Sequence, residues 1–296
     1  MIQGAQPIQK IIAAQKRNEA IFRVVAIAAV AISLATLGAL LFDAFSDGLR
    51  RLDWQFLTSF PSRKPERAGI LAAIAGSFYV VSLTSAISIP LGIGAAVYLE
   101  EYAKNNRFNR MIEVNITNLA GVPSIIYGIL GLELFVRMMK LDRSLMAGAL
   151  TLSLLALPTV IISAREAIRT VPSSIRQAAY AVGATRWQTT RDHVLPLAFP
   201  GIMTGIILAI SRAIGETAPL IMIGALTYVA FLPTGLDSPF TVMPIQIFNW
   251  VSRPQKGFFE CAAAGIVVLL ILTLMLNGLA IILRNYYQRK FSVRSL

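Results

Sequence analysis

Seven stretches of this chain, each at least 18 residues long, carry no charged side chain. They run over 24–42, 68–99, 114–132, 144–164, 194–211, 217–236 and 261–283, and together make up about half of the 296 residues. A hydrocarbon layer about 30 Å thick is crossed by about 20 helical residues at about 1.5 Å each. Nearly every run meets that requirement alone. A soluble helix of such uniform apolarity would have no polar face to offer water. Only 14% of the residues are charged, against about a quarter in ordinary soluble domains. The chain therefore reads as an all-α polytopic membrane protein.

Several chemistries are removed by counting. A single cysteine, Cys261, excludes an intrachain disulfide and a thiolate metal cage. A single histidine, His193, leaves no His-rich metal site and makes a Ser-His-Asp triad a poor fit. No Gly-Lys dipeptide occurs, so the chain has no Walker A phosphate loop. The net charge of +12 fits basic loops at a cytoplasmic membrane face better than a nucleic-acid surface.

The runs translate into six spans. The first, 24–42, follows Lys10, Lys16 and Arg17 but is long for a cleaved signal and reads as a retained span. In 68–99, Pro90, Gly92 and Gly94 predict a bent or locally unwound span. Runs 114–132 and 144–164 give one span each. Runs 194–211 and 217–236 are too close for two crossings and merge into one span over about 200–227, with Arg212 and Glu216 inside it. Segment 228–260 holds Pro233, Pro239, Pro244 and Pro254 and reads as a loop with a short interfacial helix ending at Trp250. Run 261–283 closes the set. Sixteen basic residues fall on the side of both termini and ten on the other, which places both termini in the cytoplasm. The organisation expected is a cytoplasmic segment 1–23, a transmembrane domain 24–283 and a basic cytoplasmic tail 284–296.

The segment between spans four and five, 165–195, stands out. Ser173 or Ser174 can cap a helix behind Pro172, and Ala178, Ala179 and Ala181 give that helix a small-residue surface. Gly183 ends it in a tight turn, and a second helix runs from near Thr185 to a break at Pro196. The residues alone leave two readings open: a helix that inserts into a groove on another protein, or a hairpin lying on the membrane. The spacing Ala178-Ala179, Gly183, Leu195-Pro196 resembles the cytoplasmic loop of the permease subunits of ATP-binding-cassette importers. Gln177 stands where that family has Glu, and His193 where it often has Ile. The resemblance implies a docking loop for a separate ATPase, with Ala178, Ala179, Gly183, Arg186, Leu195 and Pro196 as its coupling residues.

Arg212 and Glu216 lie four residues apart, which predicts one helix face inside the membrane. Charges there are costly and normally face a bundle interior or an aqueous path. They read either as a self-neutralising packing pair or as an anion site. An arginine fork suits phosphate-type oxygens, and Glu216 can accept a hydrogen bond from the proton that monohydrogen phosphate carries and sulfate lacks at neutral pH. Glu133 is a weaker second candidate, near a span end. Gly201 and Gly205 form a Gly-x-x-x-Gly pair suited to close approach of span five to a neighbour.

The string Ser211-Arg212-Ala213-Ile214-Gly215-Glu216-Thr217-Ala218-Pro219-Leu220 is similar to the signature of the PstA family, the permeases of phosphate importers. So are Gly121-Val122-Pro123-Ser124-Ile125-Ile126-Tyr127-Gly128, Pro90-Leu91-Gly92-Ile93-Gly94 and Tyr98-Leu99-Glu100-Glu101-Tyr102. The resemblance covers most of 68–285. It implies a type I importer permease fold with six transmembrane helices, in a bacterial cytoplasmic (inner) membrane. It implies a heterodimer with a PstC-like permease, two PstB-like ATPases that hold ATP and Mg, and an extracytoplasmic PstS-like phosphate-binding protein. The chain itself would be no enzyme and hold no cofactor; its substrate pathway would run past Arg212, Glu216 and Thr217. The rival readings are a permease of the same fold for sulfate or molybdate, a proton-coupled secondary transporter using Glu216, and a structural subunit without a path.

Overall fold

The computed structural model of the chain describes residues 5–104, 106–225 and 228–292, with the side chains of 5–14, 17 and 287–292 outside the description. The ends of the predicted terminal segments, 1–4 and 293–296, and the end of predicted span five, 226–227, lie outside the described residues. Among those described, the secondary structure is helical apart from one isolated bridge between Ser144 and Pro239. Five helical segments are long and apolar enough to cross a membrane, and a bent helix pair supplies a sixth only if counted as one span.

Helix α1, Ala5–Arg51, is far longer than run 24–42. Its apolar stretch is exposed on all sides, and it meets the rest of the chain at its far end, beside buried Gly48. There Arg51 sews the following loop together. Its Nη2 donates to Gln55 Oε1 at 2.8 Å and to the carbonyls of Glu66 and Ala68 at 2.9 and 3.0 Å. A short helix α2, Trp54–Thr58, is capped by Asp53, which accepts from Phe56 N at 2.7 Å.

Helix α3, Leu71–Val97, continues through Pro90 as α-helix, so of the two expectations there, bending or unwinding, the unwinding does not occur. The wide turn comes later, over Tyr98–Tyr102. Run 114–132 is not one straight helix. Helix α4, Arg107–Ala120, and helix α5, Ser124–Gly131 with a wide-turn extension Leu132–Met138, meet at an angle of 104°. Gly121 closes α4, and Pro123, which has no N–H to continue the ladder, opens α5. Tyr127 fixes the corner: its hydroxyl donates to Leu119 O at 2.8 Å, and its ring is buried. That bond makes Tyr127 a brace between α4 and α5.

Helix α6, Leu145–Arg169, lies at the centre of the bundle. Ser144 caps it, accepting from Ala147 N at 3.3 Å, and loop carbonyls of Leu236 and Ser238 take the N–H groups of Met146 and Leu145. The loop thus closes the helix end that would otherwise hold orphan donors. Helix α7, Ser173–Ala181, starts behind Pro172, but no side chain caps it, so neither Ser173 nor Ser174 acts as predicted. Gly183 does end it, at φ +84°, a conformation that favours glycine.

Helix α8, Arg186–Thr189, begins with a Thr185–Gln188 capping box. It flows through a wide turn, Thr190–Val194, into α9, Leu195–Gly215. Pro196 is therefore no break: the helix runs on from Arg186 to Gly215, and the wide turn falls directly before the proline, whose missing N–H interrupts the regular ladder. Gly201 and Gly205 do bring α9 onto a neighbour. A Cβ on Gly201 would lie 2.7 Å from Ala167 Cβ, and one on Gly205 would overlap Ser163 Cβ. Residues four apart on α9 thus sit against residues four apart on α6.

After α9 come α10, Ala218–Met222, and a loop that leads to α11, Met243–Val251. The predicted short helix ending near Trp250 exists, and one side of it packs into the protein. Met243, Ile245 and Trp250 are buried, and the Trp250 ring packs 5.6 Å from that of Phe56. Helix α12, Lys256–Ser292, runs back along α1, α9 and α11.

Candidate functional site

The chain ladder of α9 ends at Gly215, where Glu216 adopts extended backbone angles, φ −72° and ψ 123°. Thr217 follows and Pro219 sits in the first turn of α10. The expectation that Arg212 and Glu216 share a continuous mid-span helix is therefore wrong. Glycine at 215 and proline at 219 favour ending one helix and starting another, so the string that looked like helix interior is a helix break. The two charges still meet: Arg212 Nε donates to Glu216 Oε1 at 3.0 Å. Glu216 is the sheltered partner, 13% exposed, whereas Arg212 is 56% exposed. Glu216 takes Nε alone; Nη1 and Nη2 make no hydrogen bond among the described residues. Thr217 Oγ1 lies 3.4 Å from Gly215 O, a loose contact inside the break.

The break is held from one side by α5. A Cβ on Gly128 would come within 2.6 Å of Pro219 Cα, so two of the motif strings are in direct backbone contact here. The two helices that meet there present an apolar, open surface: Ile125, Ile126, Ile129 and Leu130 on α5 and Ile221 on α10 are each more than 40% exposed. Ser211, the neighbour of Arg212, is hydrogen-bonded to Asn277, inside the 261–283 apolar run. An arginine open to the side at that depth costs at least about 2.5 kcal/mol against lipid. The face that carries it therefore requires cover by water or by another polypeptide. Glu133, the second candidate, is paired with Arg137 at 2.8 Å and both are more than half exposed, so it stands apart from the break.

The loop end divides its predicted residues by exposure. Ala178, Gly183 and Arg186 are exposed, Ala179 is buried, and Leu195 and Pro196 are partly buried at the start of α9. The small-residue surface is thus split: Ala179 packs inward while Ala178 faces out. Three apolar side chains that the sequence reading passed over dominate the tip. Val182 is 85% exposed, Trp187 55% and Tyr180 44%. Their signal was available, since large apolar residues flanking a glycine turn outside any span have no core to enter. The tip sits over a cleft of about 620 Å³ bordered by Glu100, Glu101, Arg169, Ser173, Arg176 and Arg186.

Residues 88–293 match the family model described as binding-protein-dependent transport system inner membrane component. A probable ABC transporter permease protein, YqgI of Bacillus subtilis (strain 168), is 32% identical over 261 residues, 83% of this chain and 89% of that one. The phosphate transport system permease protein PstA of Haemophilus influenzae is 32% identical over 262 residues, 88% of this chain and 90% of that one. In three dimensions the chain is similar to a chain of a bacterial alginate ABC transporter solved with an alginate-bound periplasmic protein. The TM-score is 0.64 at 16% identity, covering 90% of this chain and 93% of the other, which establishes a common fold. The docking-loop spacing, the helix break and these similarities converge: the chain belongs to the inner membrane component family of binding-protein-dependent transport systems, and is a permease subunit of an ABC importer with the type I fold.

Proposed function

We propose that the chain forms half of the translocation path of a phosphate importer, with Arg212 as the anion-binding side chain. The observation that carries this reading is the open Arg212 fork at a helix break inside the membrane layer. Glu216 holds Nε and so presents the guanidinium edge, while Nη1 and Nη2 remain to grip two oxygens of a tetrahedral anion. The second oxygen of the Glu216 carboxylate accepts a hydrogen bond from the P–OH of monohydrogen phosphate. Sulfate brings no such proton and meets carboxylate repulsion. Thr217 adds a hydroxyl at the same break.

The exposed apolar face of α5 and α10 packs, on this reading, against a PstC-like permease that completes the path. Two PstB-like ATPases bind ATP and Mg and dock from the cytoplasm, one on the 165–195 loop through Val182, Trp187 and Tyr180. A PstS-like binding protein delivers phosphate outside, and both termini lie in the cytoplasm of a bacterial inner membrane. ATP closure of the ATPases moves the loop and re-orients the helices around Arg212. Terminal segments 1–23 and 284–296 lie outside the permease domain.

The test is ATP-dependent uptake by vesicles holding the assembled importer, with sulfate and molybdate as competitors. Phosphate uptake resistant to both is expected, and Glu216→Gln is expected to narrow the preference for phosphate over sulfate. Strong competition by either anion in the wild type, or an unchanged preference in Glu216→Gln, overturns the selectivity mechanism.

A further inference from the structure

The loop end holds a charge cluster that the transport path does not use. Glu100 and Glu101 lie in the wide turn that closes α3. Glu100 reaches α6, 3.4 Å from Arg165 Nη2 and 3.0 Å from Arg169 Nε. Glu101 reaches α7, accepting from Arg176 Nη2 at 2.6 Å and Nε at 3.0 Å. Adjacent residues of a helical turn point in different directions, and the two carboxylates accordingly serve different helices, Glu100 α6 and Glu101 α7. The Glu101 side chain is 7% exposed and that of Arg176 20%.

Arg176 does more than pair. Its Nη2 also donates to Ile168 O at 3.1 Å and its Nη1 to Val171 O at 2.8 Å. One guanidinium thus joins α7 to the end of α3 and to the last turn of α6. Between α6 and α7 the backbone at 170–172 is not helical. Without the guanidinium, that linker is where α7 would hinge. A buried ion pair adds little net stability over an apolar pair of the same shape, so its distinctive contribution is fixed geometry.

We infer that Glu101–Arg176 is a positioning pair that makes α7 and the end of α3 move as one body, carrying displacement of the loop into α3 and α6. The inference rests on the reading that an ATPase engages this loop. Contacts lead onward to the anion site. Thr84 of α3 donates to Ala149 O of α6 at 3.2 Å, and Ser163 and Ala167 of α6 bear on Gly205 and Gly201 of α9, the helix that carries Arg212. Reversing the charges is a poor test, because a carboxylate at 176 would face the Ile168 and Val171 carbonyls. Glu101→Gln keeps shape and removes charge; Arg176→Lys keeps charge and removes the fork.

The experiment uses the assembled importer reconstituted with its partner subunits, and reads phosphate moved per ATP hydrolysed. Each single variant is expected to keep ATP hydrolysis within about twofold of wild type and lose at least fivefold in phosphate per ATP. The double variant is expected to lose no more than the worse single one. Unchanged phosphate per ATP in assembled variants, or losses that multiply, overturns the inference. A second readout is independent of the solute carried: the distance between spin labels at exposed Ser174 and Lys104. It is expected to stay the same with and without ATP in the wild type and to shift or broaden with ATP in Glu101→Gln. A wild-type distance that changes with ATP overturns the positioning pair even where phosphate uptake is normal. Absent phosphate uptake with a constant wild-type distance would instead overturn the substrate reading alone.

Discussion

The contact between α9 and α6 offers a perturbation whose size follows from the geometry. A Cβ built on Gly205 would overlap the Cβ of Ser163, an atom fixed to the α6 backbone that no rotamer change can move aside. Gly201, one turn away, is nearly as tight against Ala167, so α9 cannot tilt to relieve one contact without loosening the other. Gly205→Ala therefore forces the helices apart. Overpacking of this kind costs about 1–3 kcal/mol, partly offset by the roughly 1 kcal/mol that alanine gains over glycine in a helix. Gly38 is the internal control, since a Cβ there meets nothing within 4 Å. Thermal unfolding in detergent should show Gly38→Ala at or above wild type and Gly205→Ala below it, with Gly205→Val lower still. Ser163→Gly removes the atom that Gly205→Ala strikes, and the double variant should recover most of the loss. If Gly205→Ala matches Gly38→Ala, or if Ser163→Gly gives no rescue, the close-approach account of this interface is wrong.

Two further perturbations test other parts of the chain. Arg51→Ala strips the Glu66 and Ala68 carbonyls and Gln55 of their shared donor, which should cost about 3 kcal/mol. Buried Cys261, 3.5 Å from Pro65 O beneath this loop, should then begin to react with a maleimide; continued protection would show that the loop holds without Arg51. Val182→Asp should leave folding intact, because Val182 is 85% exposed, yet lower retention of the ATPase on the purified permease by tenfold or more. Full ATPase retention would remove Val182 from the docking surface.

How far the sequence could be read depends on what each feature needs. Spans were legible where an uncharged run coincided with a helix, as for Leu145–Arg169 and the long closing helix. The bend over 114–132 was not legible, because absence of charge hid Asn115, Thr117 and Asn118, which belong to a polar-sided helix, and because the Gly121–Pro123 corner was averaged away. The Arg212–Glu216 pair was legible as a pair, but its setting was not. Four-residue spacing suits a helix, and an arginine can also reach a glutamate in the first extended position beyond its end. Gly183 and the Gly201–Gly205 pair were legible from local chemistry: one needs a left-handed turn, the other a close neighbour. The Glu100 and Glu101 contacts were not, since their partners lie 65 to 75 residues away and only the tertiary fold selects them from the many basic residues.

The central claim is that Arg212 handles the transported anion instead of merely packing the bundle. The most direct measurement is ATP-dependent phosphate uptake by the assembled importer carrying Arg212→Gln, with subunit content and ATP hydrolysis matched to wild type. Because Arg212 is 56% exposed and its Nη donors make no hydrogen bond among the described residues, the complex should assemble normally and lose uptake by at least about tenfold, the effect of one charge-assisted bond pair. Wild-type uptake in an assembled Arg212→Gln importer would contradict the account and leave the Arg212–Glu216 pair as a brace for the helix break.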